Sequence, residues 1–400
     1  MSYVIDRQGW FDLVGGGADH DFDVGVHAES RTVHVARAMS GPVELGSWNL
    51  ADDGTFTSGG SQVVVGHGSR TRIVVFDNHC IVVLWIDRSS ELRMRGYNGS
   101  GQNPGAAKTV EAAVVDFDIV SVGITTGKQH SDPDHPVNVY YNYRQFAFTT
   151  QSADGSWKLW LGTVTDMAEV GFGPVASGGT GDKVALSCAS LNEKVNGKFP
   201  RRVLTLWREG FDIKTRSWRV AAAGVTSLAS AAETKPLGVG IVHGMSVTQG
   251  NDVFATVVSP GASNSTSRLQ LVSVGAHGAM TIYASAEMAE NPETFARLQS
   301  QGCDAAVAYK TPLGLLAVAA WRFAAPGSAN AARTVLASKV SGEQPTSIRI
   351  ASLVPASEND NDPVTLVTLS CNAGGALRLV SWRLHRGLAS SPVGSNPIGV

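Results

Sequence analysis

The chain has 400 residues, a mass of 41.9 kDa and a formal net charge of −2. Hydrophobic residues make up 43% of the sequence and charged residues 16%, which excludes a disordered chain, since such chains combine low hydrophobicity with high charge. The balanced charge argues against a dedicated nucleic-acid binder. The mean hydropathy of +0.01, without an apolar run of about 18 residues, argues against a membrane span.

The two features that indicate a cellular compartment are the N-terminus and the cysteines. The segment MSYVIDRQGWFDL has no basic stretch followed by an apolar core, so it does not have the pattern of a secretory signal. The four cysteines, at positions 80, 188, 303 and 371, contain no CxxC pair. We therefore expect reduced, buried thiols and a cytoplasmic protein, with secretion left open.

A short pattern of two apolar residues followed by Trp recurs along the chain. It first occurs as Val43-x-Leu45-x-x-Trp48 and next as Cys80-x-Val82-x-x-Trp85. Its last position falls at residues 48, 85, 151, 207, 274, 321 and 382, where Gln151 and Val274 replace Trp. The spacings run from 37 to 67 residues. Seven such units account for the whole chain.

Further short apolar runs surround each copy of this pattern. A Val-Gly pair precedes it in five units, and another apolar run lies in between. A fourth run follows after a polar turn, as in ELRMRGY at 91–97 and WKLWLGT at 157–163. Four short strands per unit are typical of a propeller blade. The sequence therefore predicts an all-β fold, a seven-bladed β-propeller of four-stranded blades, as a single domain over residues 1–400.

The ends of the chain are predicted to close this propeller. The chain finishes shortly after the Trp382 strand, so residues 1–31 are expected to complete the last blade. One helix is predicted, in ENPETFARLQSQG, where Asn291, Pro292 and Glu293 supply an N-cap, a first-turn proline and a first-turn acid. A pair of β-sandwiches and a solenoid are the competing architectures.

In its aromatic, Gly-rich and weakly charged repeats, the chain resembles seven-bladed propeller-repeat proteins, and among them the lectin-like ones. The resemblance covers the whole chain and depends on the recurring Trp. No motif specific to one family is present, so no site residue is transferred from a family.

Histidines are concentrated in the crossovers that follow the Val-Gly runs. Five of the ten histidines lie there, and a propeller would place equivalent crossovers on one face. One crossover, GKQHSDPDHP, also contains Asp132, which could orient a neighbouring imidazole. Converging imidazoles bind transition metals or transfer protons. The predicted catalytic residues are therefore His27, His67, His130, Asp132, His135 and His243, unless histidine is simply tolerated in polar crossovers.

The recurring Trp residues are expected to pack between blades, so aromatic residues outside the pattern are the better candidates for ligand binding. Trp10 is one of them. The predicted substrate-binding set is Tyr140, Tyr143, Trp157, Trp160 and Trp218.

An alternation of acidic residues, Asp19-x-Asp21-x-Asp23, resembles the beginning of a calcium loop. The twelfth position, where such loops carry Glu, is Ser30, and the alternation also fits the edge of a strand. Asp19, Asp21 and Asp23 are therefore candidate ligands of a divalent metal, and the cofactor is otherwise unknown.

Three functions are compatible with these patterns. The main prediction is a small-molecule enzyme of lyase, hydrolase or cyclase type, with its active site in the central funnel and a His cluster on one face. The alternative is a lectin-like carbohydrate-binding propeller, and the third is a protein-interaction scaffold. The expected partner is a small molecule or a glycan, without nucleic acid or membrane, and the oligomeric state stays open.

Overall fold

A computed structural model shows that the chain is built from β-strands. It describes residues 2–13, 21–38, 41–58, 63–98, 103–128, 140–190, 201–210, 212–221, 224–227, 235–239, 241–247, 253–259, 267–274, 280–288, 291–297, 303–323, 333–353 and 363–387. Within these ranges, no helix is long and apolar enough to cross a membrane.

The strands follow one another closely along the chain. The first ten are β1 (Ser2–Leu13), β2 (Asp21–His27), β3 (Thr32–Ala38), β4 (Gly41–Leu50), β5 (Phe56–Ser58), β6 (Val63–Val75), β7 (Ile81–Asp87), β8 (Leu92–Asn98), β9 (Asn103–Pro104) and β10 (Lys108–Glu111). The next nine are β11 (Val114–Lys128), β12 (Tyr140–Ser152), β13 (Ser156–Val164), β14 (Val170–Thr180), β15 (Asp182–Ser190), β16 (Arg201–Glu209), β17 (Asp212–Ala221), β18 (Gly224–Ser227) and β19 (Lys235–Val239). The last eleven are β20 (Ile241–Val247), β21 (Val253–Ser259), β22 (Ser267–Val274), β23 (Met280–Met288), β24 (Asn291–Arg297), β25 (Cys303–Lys310), β26 (Leu316–Phe323), β27 (Arg333–Val340), β28 (Pro345–Leu353), β29 (Val364–Asn372) and β30 (Leu377–Gly387).

These strands pair antiparallel in six sheets. Four sheets contain consecutive strands only, namely β11–β14, β15–β19, β20–β23 and β24–β27. Strands β2 to β10 form a nine-stranded sheet, and the remaining sheet has the order β1-β30-β29-β28. Short antiparallel meanders of this kind follow from apolar runs separated by tight turns.

The long strand β6 joins two meanders within the nine-stranded sheet. Its first part, Val63 to Gly68, pairs with β4, whereas its second part, Gly68 to Val75, pairs with β7. At Gly68 an added Cβ would clash with the carbonyl oxygen of Ile86. Glycine therefore allows the close approach at which the strand passes from one meander to the next.

The first strands of successive meanders contact one another in order. These contacts run through β2, β6, β11, β15, β20, β24 and β28, and β28 in turn contacts β2. Such a closed succession of antiparallel meanders is an all-β, propeller-like fold. The predicted all-β propeller class is confirmed at this level.

The two ends of the chain meet in the last sheet. Strand β1 pairs with β30 along its length, with a bulge between Arg7 and Gly9. At the bulge, Ser381 Oγ accepts a hydrogen bond from the Gly9 amide at 2.9 Å and donates one to the carbonyl oxygen of Gly54 at 2.6 Å. The last sheet is therefore fastened to the turn between β4 and β5.

This junction depends on glycine at position 9, so Gly9→Ala is expected to lower the free energy of unfolding by about 1–3 kcal/mol. The added methyl group would overlap the carbonyl oxygen of Gly54, which is part of the backbone and cannot rotate away. Urea denaturation followed by tryptophan fluorescence measures the change. Gly342→Ala is the matched control, because the structure describes no atom within 4 Å of a Cβ added there. Equal losses in the two variants would contradict the explanation.

Buried indoles pack between neighbouring sheets. Trp382 belongs to a core cluster with apolar residues of the β24–β27 sheet, and Trp48 to a cluster shared by the last sheet and the β2–β4 meander. Every Trp of the recurring pattern is at most 5% exposed, so the predicted packing role of these residues is confirmed. The pattern does not mark one structural position, however: Trp85 and Trp207 lie in the second strand of a meander, while Trp48, Trp321 and Trp382 lie in the third.

The predicted helix in ENPETFARLQSQG is wrong. Residues Asn291–Arg297 form β24, which pairs with β25 and shifts register between Pro292 and Thr294. Proline lacks the amide hydrogen that a regular strand ladder uses, and an irregularity accommodates it. Pairing with the neighbouring strand thus overrides the local capping residues.

Candidate functional site

An exposed tryptophan marks the outer edge of the last sheet. Trp10 in β1 is 55% exposed, whereas the alternating residues Phe11 and Leu13 face the core. In the pairing of β1 with β30, Trp10 lies opposite Val380 and Asp12 lies opposite Arg378. Opposite residues of an antiparallel pair share a face, so the indole and the ion pair lie side by side.

Arg378 connects these groups. Its Nε donates to Asp12 Oδ1 at 2.6 Å, and its Nη2 donates to Oδ2 at 3.0 Å, a two-pronged arrangement that fixes the guanidinium plane. The guanidinium carbon lies 4.7 Å from the centre of the Trp10 ring. The hydrogen bonds with Asp12, aided by the charge of Glu343, raise the pKa of Arg378 above its usual value. The cation is thus held on one face of the indole.

A second carboxylate comes from the connection between β27 and β28. Glu343 Oε1 accepts a hydrogen bond from Arg7 Nη2 at 2.7 Å and lies 3.6 Å from Arg378 Nη1. Its other oxygen accepts from Ser341 Oγ. The backbone of this connection is tied to β26, since the Leu316 amide donates to the Glu343 carbonyl oxygen at 2.8 Å. We call the group made by Arg7, Trp10, Asp12, Glu343 and Arg378 the Trp10 site.

The chemistry of the Trp10 site suits a neutral ligand rich in hydroxyl groups. Two guanidinium groups and two carboxylates balance in charge, and they offer both donors and acceptors at fixed positions. The face of an indole is electron-rich and attracts weakly positive hydrogen atoms. In the described part of the chain, no group of three or more His, Cys, Asp or Glu side chains is arranged to hold a metal ion.

A related arrangement lies between β10 and the β11–β14 sheet. Glu111 accepts hydrogen bonds from Lys158 Nζ and from Thr150 Oγ1, the latter at 2.5 Å. Trp160 Nε1 donates to the same Thr150 hydroxyl at 3.0 Å. Glu111 lies just before the β11–β14 sheet, as Glu343 lies just before β28 of the last sheet. Lys158 is in the third strand of its meander, β13, as Arg378 is in the third strand of the last one, β30. Trp160 is only half-buried, so this arrangement is a less open counterpart of the Trp10 site.

The predicted histidines are not all placed by the structure. His27 ends β2 and stacks on His79, which in turn contacts His34, and the sequence analysis selected neither of these two. His67 lies within β6, opposite Pro42, and is exposed. For His243 only the backbone, in β20, is described. The loop residues His130, Asp132 and His135 lie outside the described residues, so their catalytic role stays a prediction.

The predicted aromatic residues differ in exposure. Trp157 and Trp218 are 1% and 2% exposed and pack with Trp207 between two sheets, so they form part of the core. Trp160 stacks on Phe148, with ring centres 5.9 Å apart. Tyr140 and Tyr143 belong to β12, and their side chains lie outside the description.

Two of the alternating acidic residues, Asp21 and Asp23 of β2, accept hydrogen bonds from β6. Asp21 Oδ2 accepts from Arg72 Nη1 at 2.7 Å and from the Thr71 amide at 3.2 Å. Asp23 Oδ2 accepts from the Ile73 amide at 3.0 Å, and burial raises the pKa of the Asp23 carboxyl. These carboxylates satisfy amide groups of β6 that β2 cannot pair directly. The third candidate ligand, Asp19, lies outside the described residues.

No protein-family model matches the sequence, and no curated protein matches it either. Among solved structures, the chain is similar to AofleA from Arthrobotrys oligospora, at 10% identity over 94% of this chain and 87% of that one, with a TM-score of 0.43. It is similar to the SapL1 lectin in complex with alpha methyl fucoside, at 13% identity over 94% and 98% of the chains, with a TM-score of 0.40. It is also similar to the Aleuria aurantia lectin, described as a six-bladed β-propeller with a fucose recognition mode, at 12% identity over 82% and 97%, with a TM-score of 0.38. Two of these solved structures are described as lectins, the kind of propeller that the sequence resembles.

These comparisons correct the main functional prediction. The sequence patterns favoured a small-molecule enzyme, but the solved structures similar to this chain include the SapL1 lectin and the Aleuria aurantia lectin. The geometry at His27 is consistent with the correction, because both of its ring nitrogens already hydrogen-bond within the protein, to Ser30 and to the carbonyl oxygen of Asp77.

Proposed function

We propose that this protein is a carbohydrate-binding β-propeller with seven blades, and that it holds a neutral sugar at the Trp10 site. The blade count is supported by the seven first strands that contact one another in succession from β2 to β28 and back. Each of them begins an antiparallel meander, and β1 supplies the outer strand of the last one.

One observation carries the sugar-binding proposal: an indole that is 55% exposed lies beside a fixed guanidinium and two carboxylates. A pyranose ring presents an apolar C–H face and a polar rim of hydroxyl groups. The free part of the Trp10 ring would stack on the C–H face. Arg378 would donate to ring hydroxyls, and Asp12 and Glu343 would accept from them.

The test begins with alpha methyl fucoside, the sugar bound in the SapL1 lectin structure. Titration calorimetry with alpha methyl fucoside, together with an array of neutral glycans, is expected to reveal saturable binding by the unmodified protein. Arg378→Met is expected to weaken that binding at least tenfold, since charged hydrogen bonds contribute about 1.5–3 kcal/mol.

Arg93→Met is the matched control for this experiment. Arg93 lies near the start of the third strand of its meander, as Arg378 does, and forms ion pairs with Asp87 and Glu91. The side chains of the two arginines are 34% and 36% exposed, respectively. Retained affinity in Arg378→Met, or an array on which no glycan binds, would reject the proposal.

A further inference from the structure

Three imidazoles meet where the β2–β3 turn touches the β6–β7 turn. The rings of His27 and His79 are stacked, with centres 4.2 Å apart and planes 6° from parallel. The ring centre of His34, in β3, lies 5.1 Å from that of His79, and their Nε2 atoms are 3.0 Å apart. We call these three residues the His cluster.

The hydrogen bonds of His27 show which of its ring nitrogens carries a hydrogen. Its Nε2 faces the carbonyl oxygen of Asp77 at 2.9 Å, and a carbonyl can only accept, so Nε2 carries the hydrogen. Its Nδ1 accepts the backbone amide of Ser30 at 3.2 Å. Ser30 Oγ also lies 2.7 Å from Nδ1, so both ring nitrogens of His27 have partners within the protein.

His34 and His79 face each other in a similarly restrictive way. An Nε2 to Nε2 distance of 3.0 Å is a hydrogen bond only when one of the two atoms carries a hydrogen and the other does not. The other nitrogen of His34 lies 2.8 Å from Ser47 Oγ, which can donate or accept. Two fully protonated rings would place two hydrogens, and two positive charges, against each other.

The surroundings offer little compensation for positive charge. Among the described hydrogen bonds and ion pairs, none joins a carboxylate to the His cluster. In the β6–β7 turn, the carboxylate of Asp77 is bonded instead to Arg144 at 2.6 Å. The other charged or titratable groups on the adjoining turns are Arg31, the exposed Glu29 and Asp166, and the buried Cys80. Arg31 donates to the carbonyl oxygens of Leu50 and Ala51. Asp166 accepts a hydrogen bond from Asn78.

Burial has the largest effect on the central ring. His34 is 0% exposed, and this desolvation, followed by the charges of His79 and His27, lowers the pKa of His34 to about 3. Burial and the charge of His27 also lower the pKa of His79. Both rings are therefore neutral at pH 7 while the turns are in contact.

We propose that the His cluster is an acid-sensitive lock between the first two meanders, closed when His34 and His79 are neutral and opened when they are protonated. The β6–β7 turn is held on its other side by Asp166 and Arg144, which contact Asn78 and Asp77. Acid would therefore separate this turn from the β2–β3 turn while leaving it attached to the β11–β14 sheet.

The pH range follows from linkage. When the two turns separate, His34 regains the ordinary histidine pKa of about 6.5. The open state therefore binds protons that the closed state does not. The lock is fully closed above about pH 6.5 and weakens as the pH falls toward 3. Between pH 7.5 and 5.0, protonation of His34 alone raises the opening constant about 30-fold.

Hydrogen exchange measured by mass spectrometry tests this proposal. After correction for intrinsic rates, segments 27–34 and 76–80 are expected to exchange about 30-fold faster at pH 5.0 than at pH 7.5. The segment containing His385 is the internal control, because that imidazole pairs with the Asp6 carboxylate at 2.8 Å and its rate is expected to change little. Equal protection of the two turns at both pH values would overturn the proposal.

His34→Gln separates the lock from a general effect of acid. Glutamine keeps a polar side chain without a titrating group, so the pH response of the two turns should fall well below about 30-fold. A full response in this variant would overturn the proposal. If the variant fails to fold, NMR titration of the unmodified protein replaces it. The proposal requires His34 and His79 to take up protons together with opening of the turns. Independent titration of these rings near about pH 6.5, without opening, would contradict the proposal.

Discussion

Replacing Trp10 with alanine is expected to weaken sugar binding by about 10- to 100-fold, a change typical of a tryptophan that anchors a ligand. The indole is more than half exposed and is held in place by Arg378 on one face. Its removal takes away the stacking surface but leaves the core intact, because Ile5, Phe11 and Leu13 provide core contacts of β1. Titration calorimetry with alpha methyl fucoside measures the loss.

Leu313→Ala provides the comparison for Trp10→Ala. Leu313 is an exposed apolar residue in the turn between β25 and β26, 79% exposed, and belongs to no site described above. Its removal should leave both affinity and stability unchanged. Trp10→Phe should retain part of the affinity, since a smaller aromatic face remains. If Trp10→Ala bound sugar as tightly as the unmodified protein, the Trp10 site would not be the binding site.

Trp382→Ala is expected to lower the free energy of unfolding by about 3–5 kcal/mol, the usual loss for a large aromatic residue removed from a core. Trp382 is 0% exposed, lies opposite Leu366, and belongs to a core cluster that includes Val318 of the neighbouring sheet. Its Nε1 donates to Thr368 Oγ1 at 2.9 Å, so the variant also leaves a buried hydroxyl without this partner. Urea denaturation gives the free-energy change.

Trp382→Phe separates packing from the hydrogen bond. It keeps most of the aromatic volume, so a smaller loss than that of alanine is expected, with the Thr368 hydroxyl still unpaired. Trp10→Ala serves as the surface control and should change stability by less than about 0.5 kcal/mol. A loss below 1 kcal/mol in Trp382→Ala would mean that this indole does not hold the last two sheets together.

The fold was predictable from the sequence at the level of strands. Short apolar runs separated by turns such as Asp154-Gly155 specify β-hairpins through local chemistry. Local chemistry also led to the wrong prediction of a helix at Asn291–Arg297. Capping residues there favour a helix, but β25 supplies a partner strand, and pairing across the sheet is the stronger effect.

The Trp10 site was only partly predictable. Trp10 attracted attention because it stands outside the recurring pattern. Its partner Arg378 could not be recognised, since it lies more than 360 residues away and reaches Asp12 only through the pairing of β1 with β30. Trp157 and Trp218 showed the same irregularity in sequence but are buried between sheets. Periodicity does not distinguish an indole that faces a neighbouring sheet from one at an open edge.

The sequence by itself determined the strand content, the repetition and the burial of the recurring indoles, because these depend on the local alternation of apolar and polar residues. The tertiary structure alone decided which distant residues meet: Arg378 with Trp10, and His34 with His79. Register and sheet order set these encounters, since a shift of one residue turns every side chain to the opposite face. The candidate sugar site and the acid-sensitive lock both arise from pairings of that long-range kind.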